Sequence, residues 1–138
     1  MKKAILFLFA FFIIGGGIET ASAQSAAQES VSVGVNKTKK VLGAATVRVL
    51  LVVEDSRCPE GTTCVQAGNA KVRIAVKKGD DTTQIVELDT NGKNTATVAG
   101  YELKLDSLTP TPTSAAPIRK KDYVANLTVK DLGSVASN

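Results

Sequence analysis

The residues best suited to chemistry lie in one short run, Glu54-Asp55-Ser56-Arg57-Cys58-Pro59-Glu60-Gly61-Thr62-Thr63-Cys64, which holds both cysteines of the chain. Thiols can pair or exchange, carboxylates can act as acid and base or hold a hard cation, and an arginine can grip an anion. What the chain lacks narrows these options. There is no histidine, which excludes Ser-His-Asp and Cys-His arrangements and most zinc and copper sites. The one methionine is Met1, so thioether ligation of copper is excluded too. No D-x-D-x-D-G calcium spacing accompanies Glu54, Asp55 and Glu60, and Asp80 and Asp81 follow ordinary turn chemistry in Lys78-Gly79-Asp80-Asp81. No metal site and no cofactor is expected. An enzyme working through Glu54, Asp55 and Glu60 stays open as an alternative, in a chain with little room for a cleft that faces two carboxylates.

The amino-terminal residues decide how to read the cysteines. Met1-Lys2-Lys3, an apolar run from Ala4 through Ile14, and Ala21-Ser22-Ala23 follow the order of a basic, an apolar and a cleavage region. A signal peptide over residues 1–23, cut after Ala23, is therefore expected. The apolar run falls short of the roughly 20 residues of a transmembrane helix, so the mature chain is not expected to span a membrane. Export to the periplasm or the medium favours pairing of an even cysteine count, and a Cys58–Cys64 disulfide follows. A redox pair would use C-x-x-C at a helix start; here five residues intervene, among them Pro59 and Gly61.

Removing Lys2, Lys3 and Glu19 from 17 basic and 13 acidic residues leaves 15 and 12, a net charge of +3. The cations are scattered and are not interleaved with aromatics, so nucleic acid is not an expected partner. Residues 24–138 have the length of a single domain.

The elements that must carry the cysteine run read as strands. Ala70-Val72-Ile74-Val76, Tyr101-Leu103-Leu105 and Tyr123-Ala125-Leu127-Val129 each alternate with polar neighbours, the period of a strand with one buried face. Thr46 to Val53 is apolar on both faces apart from Arg48 and reads as a central, doubly covered strand. Val31 to Val35 and Thr83 to Leu88 are further candidates. Asn91-Gly92 carries the signature of a type I′ hairpin joining Glu87–Thr90 to Lys93–Val98, and Lys78–Asp81 is a second such turn, between the Ala70 and Thr83 strands. Thr109 to Pro117 is a proline-rich loop, and Gln24–Ser30 and Gly133–Asn138 read as frayed ends. With no sustained helical period, the expectation is an all-β fold: a small antiparallel sandwich or barrel of about seven short strands with one disulfide-closed loop. With no tryptophan, and phenylalanine confined to the signal region, its core must be built from Val, Leu, Ile, Ala, Tyr101 and Tyr123.

Asp55-Ser56-Arg57-Cys58-Pro59 followed by Cys64-Val65-Gln66-Ala67-Gly68-Asn69-Ala70, with Tyr101–Leu105, Leu108-Thr109-Pro110 and Asp122-Tyr123 further on, resembles an uncharacterised family of small bacterial secreted proteins and lipoproteins. Its signature is D-S-R-C-P-x-x-x-x-C-[VI]-W-A-G-[NE]-A. Two features depart from it: Gln66 stands at the tryptophan position, and the lipid-anchoring cysteine of some members is absent. The resemblance implies export and a β fold, and assigns no activity.

Two readings of the cysteine loop follow. It is either a structural corner between two strands, with Asp55, Gly61, Gly68 and Asn69 shaping it, or a rigid surface presenting Arg57, Pro59, Glu60, Thr62 and Thr63 to a partner. The second makes the protein a non-enzymatic binding module of the bacterial envelope, its partner an envelope or extracellular protein or glycan. A cyclised Arg-Cys-Pro segment also suggests an inhibitor of extracellular proteases.

Overall fold

The computed structural model describes residues 26–133; the expected signal peptide and residues 134–138 lie outside the described residues. Among the described residues eight strands form two antiparallel four-stranded sheets packed as a sandwich, with no closed barrel. β2 (Thr38–Val41), β3 (Ala45–Asp55), β4 (Ala70–Lys78) and β5 (Gln84–Asp89) make one sheet in chain order. The other has the order β1 (Gln28–Gly34), β8 (Val124–Asp131), β7 (Tyr101–Thr109), β6 (Thr95–Val98). A 3₁₀ turn, Lys120–Asp122, precedes β8.

The inward rows of the alternating strands meet between the sheets. Val47, Val49, Val72, Ile74 and Leu88 pack from one side, Leu103, Leu105, Leu127 and Val129 from the other, and Tyr101 and Tyr123 fill the ends. Each fully buried Val or Leu is worth roughly 1.5–3 kcal/mol, so the small-aliphatic core expected from composition is the one that forms. No polar or charged residue is buried as a whole among the described residues.

Several elements differ from expectation. β2, in which Thr38, Lys39 and Lys40 are exposed and only Val41 is buried, is an additional edge strand; lysines on an edge discourage further pairing. β1 starts at Gln28, inside the segment read as a frayed end, because it pairs along its whole length with β8. β3 is central in its sheet but covered on one face only: Leu51 and Val53 are 39% and 42% exposed. Two register shifts, between Val49 and Leu51 and between Val52 and Glu54, each add a residue to β3 against β4, and such bulges bend a strand and re-aim its side chains.

Asn91-Gly92 is not a hairpin turn. β5 and β6 belong to different sheets, and only Gly92 of the pair has positive φ (138°), whereas type I′ needs it at both. The segment is held instead by the start of β4: Thr90 N donates to Ala70 O (2.9 Å) and Asn91 N to Asn69 Oδ1 (3.0 Å). The Lys78–Asp81 turn does join two paired strands, with Asp81 N donating to Lys78 O (2.9 Å).

Candidate functional site

β3 leaves its sheet at Asp55 and β4 enters at Ala70, and the chain between them folds back on itself. Ser56 N donates to Asn69 O (2.7 Å) and Cys58 N to Ala67 O (3.2 Å), while Ser56 Oγ accepts from Asn69 N (3.1 Å). The two legs approach so closely at Gly68 (φ +69°) that a Cβ there would lie 1.8 Å from Ser56 O. Only glycine satisfies both the backbone angle and the approach. Asn69 leads the chain into β4 at this crossing, and the bulges of the pairing lie on β3. Its Oδ1 accepts from Asn91 N, and Asn91 Nδ2 donates to Gly68 O (3.2 Å).

Beneath these legs sits a charged clasp. Asp55 Oδ1 accepts from Arg57 N (3.2 Å) and Nε (2.8 Å), and Oδ2 accepts from Arg57 Nη2 (2.7 Å) and from the Tyr123 hydroxyl (2.9 Å). The guanidinium also donates to Leu108 O through Nη1 and to Pro110 O through Nη2 (3.0 Å). One arginine thus ties the end of β3 to the end of β7 and to the proline-rich loop, across the two sheets. Burial alone would raise the Asp55 pKa; the hydrogen bonds from Arg57 and Tyr123, with the Arg57 charge, outweigh it and hold the carboxyl below its usual value. Burial pushes the Tyr123 phenol up to about 12, reinforced by its bond to the Asp55 carboxylate and by that charge.

The disulfide closes the ring above the clasp, with Cys58 and Cys64 Cα atoms 6.0 Å apart. Within it Gly61 takes φ +76° and Thr62 N donates to Pro59 O (3.2 Å), the turn that glycine at this position permits. The ring docks on the proline-rich loop: Glu60 N donates to Pro112 O (2.9 Å), and Glu60 and Thr113 form a parallel bridge. Beside this contact a hollow of about 320 Å³ is lined by Asp55, residues 112–118 and Tyr123.

Of the expected contact residues, Glu60, Thr62 and Thr63 are exposed, Pro59 is half-buried, and Arg57 points inward with its side chain 14% exposed. Arg57 forms its ion pair with Asp55, while the Glu60 backbone ladders to the proline-rich loop. Val65, Gln66 and Ala67 extend the exposed edge, and Val65 at 104% is the most exposed large apolar side chain described. An apolar residue in an otherwise polar loop is the sequence signal that marks it. Tyr123, Leu108 and Pro110 join the site from 68, 51 and 53 positions away from their partners, with no local signal.

The three carboxylates are not gathered into a cleft. Glu54 lies in register with Lys71 and Asp55 with Ala70 on alternate faces of β3, and Glu60 lies on the ring. Among the described residues no group of three or more His, Cys, Asp or Glu is placed to hold a metal ion, and no helix is long and apolar enough to cross a membrane. Comparisons with protein-family models, with curated proteins and with solved structures return no match.

Proposed function

We propose that the protein is a non-enzymatic binding module, exported to the bacterial envelope or beyond, that presents the Glu60–Ala67 edge of the clipped ring to an envelope or extracellular protein or glycan. The observation that carries this reading is the contrast within one loop. Its base is fastened by the disulfide, the Arg57 clasp, the Gly68 crossing and the Glu60–Thr113 bridge, while Thr62, Thr63, Val65 and Gln66 extend into solvent. A fold that holds a polar edge with one bare apolar side chain this firmly has removed most of the ordering cost of binding. Export agrees with the disulfide and with the signal expected over residues 1–23, and the resemblance in the Asp55–Ala70 motif points the same way.

The protease-inhibitor alternative loses its motive, because the Arg57 guanidinium is occupied by Asp55, Leu108 and Pro110 and is not offered to a cleft. The carboxylate alternative loses its motive with the separation of Glu54, Asp55 and Glu60.

The test is affinity capture from envelope and culture fractions, comparing the oxidised protein with a variant carrying Glu60→Ala, Thr62→Ala, Thr63→Ala and Val65→Ser. Arg57 is left in place so that the base stays folded. A binding species retained by the first and lost by the second supports the reading. Equal capture by both would remove this edge as the contact surface.

A further inference from the structure

The outer face of the β2-β3-β4-β5 sheet is divided along its length by charge. Toward the clipped ring the outward cations of β4 are matched: Lys71 lies in register between Glu54 and Asp89, and Arg73 Nε donates to Glu87 at 2.9 Å. Toward the other end the matching stops. Ala75 lies between Arg48 and Ile85, and Thr46 lies between Lys40 and Lys77. No acidic residue is in register with Lys40, Arg48 or Lys77, and among the described residues none of the three makes an ion pair. Asp80 and Asp81, on the turn after β4, form none with them either.

Between these cations the face is hollow. Ala75 points outward and is nonetheless only 8% exposed, in a depression of about 290 Å³ that Leu50, Ile85, Arg48, Lys77, Thr46 and Thr83 also line. That is close to the lower end of the ~300–1,000 Å³ of small-molecule sites. Leu50 is the residue inserted by the first bulge of β3, between the ladder positions of Val49 and Leu51, so an irregularity of the strand supplies an apolar wall. Ile85, 62% exposed, supplies another. A second sheet docking here would bury three cations without counter-charges, at a steep desolvation cost, and a second copy would set like charges against each other. An occupant with an apolar body and one negative charge meets neither penalty.

We propose that this hollow binds a small amphiphilic anion, a single-chain carboxylate whose head pairs with Arg48 and Lys77 and whose chain lies on Leu50, Ala75 and Ile85. The site is separate from the clipped ring, so neither reading depends on the other.

Octanoate, with 1-octanol as its uncharged counterpart, is the probe, titrated below its micelle threshold into the oxidised protein and followed by methyl NMR. Octanoate is expected to give saturable shifts at Leu50, Ala75 and Ile85, with 1-octanol binding about tenfold more weakly. The double variant Arg48→Gln, Lys77→Gln, at an exposed and a half-buried position and checked by its melting transition, is expected to lose about the same factor for octanoate and none for 1-octanol. Ala75→Leu, which fills the floor, is expected to abolish binding of both. Absence of saturable shifts at these methyls, shifts centred on Val65, equal affinity for octanoate and 1-octanol, or an Arg48→Gln, Lys77→Gln variant that binds octanoate as the parent does would each overturn the proposal.

Discussion

Replacing Asp55 with asparagine keeps the shape of the clasp and removes its charge. The Asp55 and Arg57 side chains are 9% and 14% exposed, so the pair is largely withdrawn from water. In the native arrangement both carboxylate oxygens accept from donors only, two hydrogen bonds each. In either orientation asparagine would turn its amide NH₂ against an Arg57 donor, since Arg57 donates to both Asp55 oxygens, and would leave a guanidinium with two carbonyls and no counter-charge. Breaking a fully buried pair from one side costs about 3–5 kcal/mol; with the remaining exposure, about 2–4 kcal/mol is expected. For a domain of this size that is roughly 10–20 °C in Tm. The pH dependence carries a sign. Because the folded-state pKa of Asp55 is depressed, its stabilisation is fully present above the ordinary value of 3.8 and is lost as pH falls through the lower folded one. The stability gap between parent and Asp55→Asn should therefore be flat from about pH 5 to about pH 8 and shrink below about pH 4. Urea unfolding of both proteins, disulfide intact, at about pH 7, 4 and 2 measures it. A gap under about 0.5 kcal/mol at neutral pH, the range of ordinary surface changes, or a gap that survives unchanged at the lowest pH, would refute the charged clasp.

Tyr123→Phe removes one hydrogen bond to a charged acceptor and should cost about 2 kcal/mol. The phenol pKa is raised from 10 to about 12, so its contribution is present below the ordinary value and lost as pH rises through the folded one; alkaline unfolding curves should converge for parent and variant across that window. Gly68→Ala should cost more than about 3 kcal/mol, since it adds a backbone clash at 1.8 Å to the left-handed strain. Gly61→Ala, with nothing within 4 Å, should cost only the roughly 1–2 kcal/mol of that strain, and denaturant midpoints separate the two. Cys58→Ser with Cys64→Ser should cost up to roughly 2.4 kcal/mol for a ring of this size, yet leave the Ser56 amide protected from hydrogen exchange, because its bond to Asn69 O needs no disulfide. Full exposure of that amide would show that the disulfide builds the base.

Strand periodicity was legible wherever one face meets the core and the other meets water, as in β4, β7 and β8. It failed where that rule is broken. β2 is short and its lysines protect an edge, so it carries almost no apolar signal. β3 reads as buried on both faces because Leu51 and Val53 are apolar, yet its two bulges turn them outward; a bulge shifts phase without a residue type that announces it. Asn91-Gly92 carries a hairpin signature, but Asn69 and Ala70 capture the adjoining backbone and send the chain to the other sheet. Local preference yielded there to hydrogen bonds from more than twenty positions away.

The same division runs through the candidate site. The expected export signal and the even cysteine count pointed to a disulfide between Cys58 and Cys64, and Gly61 between them to a shaped ring, neither needing contacts from distant parts of the chain. The orientation of Arg57 is not local: the residue types near it allow a cation turned outward as readily as inward, and Leu108, Pro110 and Tyr123 decide the matter from the other sheet. On the proposed binding role, this changes which residues would meet a partner. An outward Arg57 would have made the ring a charged hook, whereas an inward one makes it a pedestal, leaving Thr62, Thr63, Val65 and Gln66 as the surface. A ring closed only on itself could pivot about its two legs. With Glu60 laddered to the proline-rich loop and Arg57 bonded to Leu108 and Pro110 beneath, the backbone of the ring is tied to the other sheet at two further points.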